Sequence, residues 1–206
     1  MRAVIIAGGD FKNPDFYRKL LNDSDTIICA DGGCLAAQKI GLMPDVIIGD
    51  FDSYPQNLAK AKTEKIVLPT EKDRTDTHEC VCYAINHGFD EILLLGATGS
   101  RLDHTIANIH LLKVALDNNI KMKIVDEYNE VYLTDKEIFL KKSEGQHVSV
   151  LPIGIAEGIS STGLYYPMKD AVMEFGNPYG VSNEFNSDEA AISVKKGLLL
   201  VILSRD

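Results

Sequence analysis

Several short stretches hold carboxylates that can do chemistry only together. Asp50 and Asp52 sit two apart in Gly49-Asp50-Phe51-Asp52-Ser53, and Asp73 and Asp76 share Lys72-Asp73-Arg74-Thr75-Asp76. Asp31 opens Asp31-Gly32-Gly33, and Asp103 closes Arg101-Leu102-Asp103 ahead of His104. Carboxylates gathered at one place repel one another and raise each other's pKa, a conflict that a divalent cation resolves. Oxygen-only ligands favour Mg²⁺, Mn²⁺ or Ca²⁺ over zinc, and Mg²⁺ typically takes one or two carboxylates and shares its other positions with water and phosphate. In an extended segment Asp50 and Asp52 project to one side. Asp76, at the start of a helical pattern, can close the same site. Each aspartate alone reads equally well as a helix cap or turn residue; their repetition at successive strand ends favours the metal.

The glycines invite an anion. Gly8-Gly9, Gly32-Gly33 and Gly96 with Gly99 each follow an apolar run and precede a helical stretch, where backbone N–H groups and helix N-termini receive phosphate oxygens. Tight strand-to-helix turns also need glycine, and neither G-x-x-x-x-G-K-[ST] nor a first-turn G-x-G-x-x-G is present. Arg101 strengthens the phosphate reading, because its fork of donors suits a polyphosphate. Its plainer role is a salt bridge to Asp103 or a neighbouring Asp.

The elements that must position these residues follow from periodicity. Strands are expected at 3–7, 26–30, 46–49, 65–68, 91–96 and 121–126, with helices at 14–21, 33–40, 54–61, 75–87 and 102–117 between them. Such alternation predicts an open, mostly parallel, Rossmann-like α/β sheet with crossover helices on both faces. Ligands then bind beyond the carboxyl ends of the strands, where six aspartates, Asp31, Asp50, Asp52, Asp73, Asp76 and Asp103, all fall. From about residue 127 the pattern changes to short strands at 131–134, 138–140, 147–151, 171–175, 189–194 and 198–203, divided by Gly, Pro, Asn and Ser. Those turn signals predict a small antiparallel sandwich or barrel. The expected domains are therefore 1–126 and 127–206.

Composition agrees. With 206 residues, 45% hydrophobic and 25% charged, the chain is of ordinary globular type, and its net charge of −9 argues against nucleic acid or an anionic membrane as partner. No apolar run approaches the roughly 20 residues of a membrane span, and the opening MRAVIIAGGD is too short for an export signal, so the cytoplasm is the expected location. Cys29, Cys34, Cys80 and Cys82 have no zinc-ligand spacing and read as reduced structural thiols.

The series Ala30-Asp31-Gly32-Gly33, Pro44 to Ser53 (PDVIIGDFDS), Lys72 to Thr77 (KDRTDT) and Gly96 to His104 (GATGSRLDH) resembles the thiamine pyrophosphokinase family. Thr162-Gly163-Leu164-Tyr165-Tyr166-Pro167 and Gly180-Val181-Ser182-Asn183-Glu184 extend the resemblance into the second half. It implies transfer of the pyrophosphoryl group of ATP to the hydroxyethyl oxygen of thiamine, with thiamine diphosphate and AMP as products. It also implies an α/β ATP domain, a C-terminal β-sandwich, and a homodimer with thiamine sites at the subunit interface. Within it, Asp50, Asp52 and Asp76 would hold Mg²⁺, and Lys72 and Arg101 would stabilise phosphate charge. Asp31, Gly32, Asp52, Asp103 and His104 would shape the ATP site, and Asp73 or Asp76 would accept the hydroxyl proton. Thr75, Asp76, Ser182 and Asn183 would contact thiamine. Ser100 stands where the family commonly has a second glycine. The competing expectations are another Mg²⁺-dependent pyrophosphokinase or phosphatase, which needs no thiamine, and a non-catalytic sensor of Mg-nucleotide or thiamine, which binds without turnover.

Overall fold

A computed structural model describes residues 1–51, 63–69, 71, 73–177 and 179–206. The helix expected at 54–61 lies outside the described residues, as do Asp52 and Lys72. The chain divides into two compact units, Met1–Glu127 and Tyr128–Asp206.

In the first unit β1 (Arg2–Ile6), β2 (Thr26–Ala30), β3 (Val46–Gly49), β4 (Glu64–Val67), β5 (Glu91–Leu95) and β6 (Lys121–Val125) alternate with α1 (Pro14–Arg18), α2 (Gly33–Lys39), α3 (Asp76–Asn86) and α4 (Leu102–Asp117). The strands pair in parallel in the order β4-β3-β2-β1-β5-β6. The chain thus builds outward from β1 to β4, returns through α3, and continues on the other side of β1. The order reverses between β1 and β5, where an open sheet leaves a crevice beyond its strand ends.

The strands form because both of their faces are buried. Val4 and Ile6 of β1 join Tyr17 of α1 and Cys34 and Ala37 of α2 in one core. Ala3 and Ile5, which point the other way, are equally unexposed. α3 runs against β1, β2 and β3, and α4 against β6; they bury Cys80, Val81 and Ala84, and Leu111, Leu112 and Ala115. A fully buried Ile or Leu contributes about 2 kcal/mol of transfer free energy. The helices are bounded locally. Asn13 accepts from the Phe16 amide and Pro14 opens α1, while left-handed Gly88 and Asn119 follow α3 and α4. α1 is shorter than the 14–21 expected, because beyond Arg18 the backbone tightens into Leu20 N–H to Tyr17 and Leu21 N–H to Arg18 turns.

The second unit contains β7 (Asn129–Thr134), β8 (Glu137–Lys141), β9 (His147–Thr162), β10 (Ala171–Glu174), β11 (Asn183–Glu184), β12 (Glu189–Ser193) and β13 (Lys196–Ser204). The pairings run antiparallel in the order β7-β13-β9-β12-β8, with β10 and β11 also on β9. A strand was expected only over 147–151; β9 continues for 16 residues. Gly154 and Gly158, which look like turn signals, instead adopt φ of 81° and 71° inside the strand, where the register against β10 and β13 shifts. They act as bulges rather than ends. The first half of β9 pairs with β13 and its last residues with β12, and Val150, Ile159, Ile192 and Val201 share one apolar core.

One buried ion pair ties the start of β1 to the turn before β2. Asp25 accepts from Arg2 Nε at 2.8 Å, Arg2 Nη2 at 2.6 Å and the Asn22 amide at 2.8 Å, and its side chain is 1% exposed. Burial works to raise its carboxyl, but Arg2 and the Asn22 amide outweigh this and hold it below the usual carboxylate value. Because the folded pKa is depressed, the stabilisation is complete above the unfolded value of about 3.9 and is lost as pH falls through the folded value. Asp25→Asn should lower stability by about 3 kcal/mol at neutral pH and shrink the acid-induced loss below about pH 4. Thermal melts across that range check both, and an unchanged acid profile would discount the pair.

Candidate functional site

A cavity of about 530 Å³ opens at the carboxyl edge of the first unit. Its walls come from the turn after β1 (Gly8, Gly9, Asp10), the turn after β2 (Asp31, Gly32), the start of α3 with its cap (Thr75, Asp76, Thr77), the segment from Gly96 to Arg101 between β5 and α4, and His104 in the first turn of α4. This is the crevice that the reversal between β1 and β5 requires.

The turns approach more closely than side chains allow. A Cβ on Gly9 would stand 2.3 Å from the Thr98 carbonyl oxygen and 2.4 Å from that of Gly96, and one on Gly33 would stand 1.9 Å from the Ile6 carbonyl oxygen. The Gly9 amide instead donates to the Gly96 carbonyl at 2.8 Å. The main chains of these turns therefore meet where any larger residue would clash. Two helices begin here without a side-chain cap: α2, preceded by Gly32, and α4, preceded by Arg101. Their leading N–H groups suit anionic oxygens. α3 differs, since Thr75 Oγ1 accepts from the His78 amide at 3.2 Å and caps it.

Of the expected site residues, Asp31, Gly32, Thr75, Asp76, Arg101 and His104 line this cavity together. Asp31 has φ of 21° and is held by its amide to the Ile48 carbonyl at 2.9 Å and its carbonyl to the Cys34 amide at 3.1 Å. That bond sets it beside the end of β3, directly before Asp50. Asp73 is exposed and outside the lining. Asp103 also lies outside the lining and pairs with Arg101 through both guanidinium arms, Nε to Oδ1 at 3.1 Å among them. The Arg101 guanidinium pulls the Asp103 carboxyl down to about 2, and Asp103 in turn raises Arg101. Ser100 lines the cavity without a positive φ, so the turn does not require glycine there.

Several lining residues were not singled out from the sequence. Asp10 follows the first glycine pair, a signal that could have found it. Thr98 lies inside the quoted Gly96 to His104 series without being marked apart from its neighbours, and Thr105 and Asn108 carried no such signal. The Asn108 side chain donates to the Ala97 carbonyl at 2.8 Å, and Thr98 Oγ1 to Asp126 Oδ2 at 2.7 Å.

The donor chemistry fits a hard divalent cation. Asp10, Asp31 and Asp76 offer oxygen in one cavity, beside amides suited to phosphate. Among the described residues no three His, Cys, Asp or Glu side chains converge on a metal position. Two carboxylates completed by phosphate and water would serve Mg²⁺.

In the second unit Ser182 has φ of 58°, and its amide donates to Ser149 Oγ at 3.1 Å. Asn183 is buried. Its side-chain oxygen accepts from the Tyr166 amide at 3.0 Å and the Glu184 amide at 2.9 Å, and its Nδ2 donates to the Tyr166 carbonyl at 2.7 Å. The side chain thus fixes the turn that presents exposed Tyr165 and Tyr166, which meet edge to face at 4.9 Å.

A glycine-walled cavity with carboxylates at the switch point of a parallel sheet is the setting in which α/β proteins handle phosphate chains. Comparison with known proteins makes this particular. Residues 17–124 match the family model described as thiamin pyrophosphokinase, catalytic domain, and residues 135–199 match thiamin pyrophosphokinase, vitamin B1 binding domain. A thiamine pyrophosphokinase of Bacillus subtilis is 31% identical over the full length of both chains. A crystal structure of the enzyme from that organism superposes with a TM-score of 0.91 at 27% identity over all of both chains. One from Geobacillus thermodenitrificans gives 0.88 at 28%, covering 100% of this chain and 98% of that one. The chain belongs to the thiamine pyrophosphokinase family, enzymes whose general reaction is Mg-dependent transfer of a pyrophosphoryl group from ATP to thiamine.

Gly9→Ala should force the two turns apart, costing about 2 kcal/mol, or roughly 6 °C of melting temperature for a chain of this size. A circular-dichroism melt checks this, and an unchanged midpoint would mean that the turns can part freely.

Proposed function

We propose that the cavity at the carboxyl edge takes the Mg-bound triphosphate of ATP. The first unit would then be a Rossmann-like catalytic domain, and the second a β-sandwich that binds thiamine and dimerises. The observation that carries this reading is the meeting of Asp31, Asp76, Arg101 and His104 with three glycine turns around one cavity.

Gly32 and the turns at Gly8 and at Gly96–Gly99 would receive phosphate oxygens, assisted by the uncapped start of α4, while the Gly9 amide stays on the Gly96 carbonyl. Asp31 and His104 complete the nucleotide wall. Asp103 holds Arg101 by both arms at the rim, so that phosphate need not order a free side chain. Asp76, which lines the cavity, would hold Mg²⁺ with Asp50, which lies outside the lining, and Asp52, which lies outside the described residues; Asp10 and Asp31 offer further oxygen in the cavity. The ion supplies charge neutralisation on the phosphates, the main requirement of phosphoryl-type transfer. Lys72 and Arg101 add positive charge along the chain. The thiamine hydroxyl oxygen forms a bond to the β-phosphorus, the bond from that phosphorus to the α-phosphate's bridging oxygen breaks, and AMP departs. The hydroxyl proton goes to a carboxylate, and of Asp73 and Asp76 only Asp76 lines the cavity. Thr75, Asp76, Ser182 and Asn183 are the proposed thiamine contacts, with Asn183 acting through the Tyr165-Tyr166 turn that it fixes.

What supports the homodimer beyond the resemblance is the exposure of large apolar side chains on the second unit, Phe139, Ile155, Val172 and Phe175 at 75%, 60%, 60% and 82%. The four free thiols suit a reducing compartment, consistent with the cytoplasm. No helix among the described residues is long and apolar enough to cross a membrane.

Incubation with ATP, Mg²⁺ and thiamine should yield thiamine diphosphate and AMP in equal amounts. AMP without thiamine, or binding without turnover, would overturn the proposal in favour of a phosphatase or a sensor. Asp76→Asn should reduce kcat by at least about a hundredfold, the lower end of general-base contributions, with the fold retained. Near-normal turnover at saturating Mg²⁺ would remove Asp76 from both of its roles.

A further inference from the structure

We propose that the adjacent carboxylates Asp126 and Glu127, just beyond β6, are positioning residues for the nucleotide cavity, each holding a different one of its loops. This rests on the reading of the cavity as the ATP site.

Successive side chains of an extended segment point to opposite sides, so neighbours in sequence can serve different loops. Asp126, 7% exposed, accepts from Thr98 Oγ1 at 2.7 Å. Thr98 lies in the turn after β5 that forms one cavity wall, and its carbonyl oxygen is one of the two atoms nearest Gly9. Glu127 reaches the loop after β1. Its Oε1 accepts from the Lys12 amide at 2.8 Å and the Asn13 amide at 2.9 Å, and its Oε2 from the Tyr17 hydroxyl at 2.6 Å. That loop begins with Gly8, Gly9 and Asp10 in the opposite wall.

The anchorage is charged and specific. Burial alone would raise the Glu127 carboxyl; the Tyr17 hydroxyl and the amides of Asn13 and Lys12 outweigh it and hold the group ionised. Tyr17, itself fully buried against Phe11 and Phe16, is pushed up by burial and by Glu127. The two walls also bond to each other through the Gly9 amide and Gly96 carbonyl. The spacing between them is therefore set at three points, two of which end on consecutive residues. A polyphosphate received by backbone amides depends on that spacing, because main-chain donors cannot reorient independently to follow a displaced ligand.

The experiment compares Thr98→Val, Asp126→Asn and Glu127→Ala with the unaltered enzyme, measuring KM for ATP, KM for thiamine, kcat and melting temperature. Loss of a hydrogen bond to a carboxylate predicts that Thr98→Val raises KM for ATP about tenfold, leaving KM for thiamine within about twofold; Asp126→Asn, whose side-chain oxygen still accepts from Thr98 as a neutral acceptor, should raise it by less. Combining the two should add little to Thr98→Val alone, since both act on one bond. Thr98→Ser, which keeps the hydroxyl, should recover most of the ATP affinity. Glu127→Ala should act in the same direction through the other loop. Altered melting temperature with an unchanged KM for ATP would overturn the positioning role and leave the cavity assignment standing. A rise in KM for thiamine with that for ATP unchanged would overturn the cavity assignment itself. Should Thr98→Val not fold, the near-isosteric Asp126→Asn reads the same bond.

Discussion

The contact on which the first unit's chemistry depends is between two turns with no side chains to separate them. Where strand order reverses, β1 and β5 send their loops to opposite sides of the sheet, and a crevice opens between them. Left alone, that crevice would be a simple gap. Gly9 closes it to a hydrogen bond with the Gly96 carbonyl, and Gly33 brings the start of α2 onto the end of β1. The result is a wall of main chain in which the turns after β1 and β5 are braced by each other.

That wall decides how the charge can be arranged. Carboxylates and a polyphosphate repel, so their coexistence at one sheet edge requires positive potential between them. Uncapped helix starts supply partial charge from α2 and α4, and Arg101 supplies a full one. Its pairing with exposed Asp103 is weak as a stabilising bridge. The pairing matters more as orientation, since it keeps a planar group at the cavity rim.

Much of this was readable along the chain because the relevant spacings are local. β2 and β3 have the expected bounds, their apolar runs being sealed on both faces. Asp31, Gly32, Thr75, Asp76, Arg101 and His104 were legible as strand-end or helix-start residues, and that placement alone brings them to one edge. What was not legible depends on which strands are neighbours. Thr98 and Asn108 matter only because β5 lies beside β1, and Asp126 looks like the end of an ordinary strand until Thr98 is found against it. In the second unit Gly154 and Gly158 carry the same local signal whether they end a strand or bulge it. Only the partners β10, β12 and β13 decide the matter. Asn183 shows a further limit: a turn motif names a polar side chain without saying that backbone groups of the Tyr165-Tyr166 turn already engage it.

The two units solve different problems with the same residue type. In the first, glycines permit close approach, so substitution meets backbone atoms at once, as at Gly9 and Gly33. In the second, Gly154 and Gly158 permit left-handed φ, which lets one strand serve β13 and β12 in turn and gathers Val150 and Ile159 into one core. A parallel sheet obtains its site from its connections, because its strand edges are occupied by neighbours and its faces by helices. An antiparallel unit has no crossover helices to cover its outer faces, and here it leaves Phe139, Ile155, Val172 and Phe175 in solvent. Catalytic geometry therefore concentrates in the loops of the first unit, while the second has surface available for a planar substrate or another protein surface.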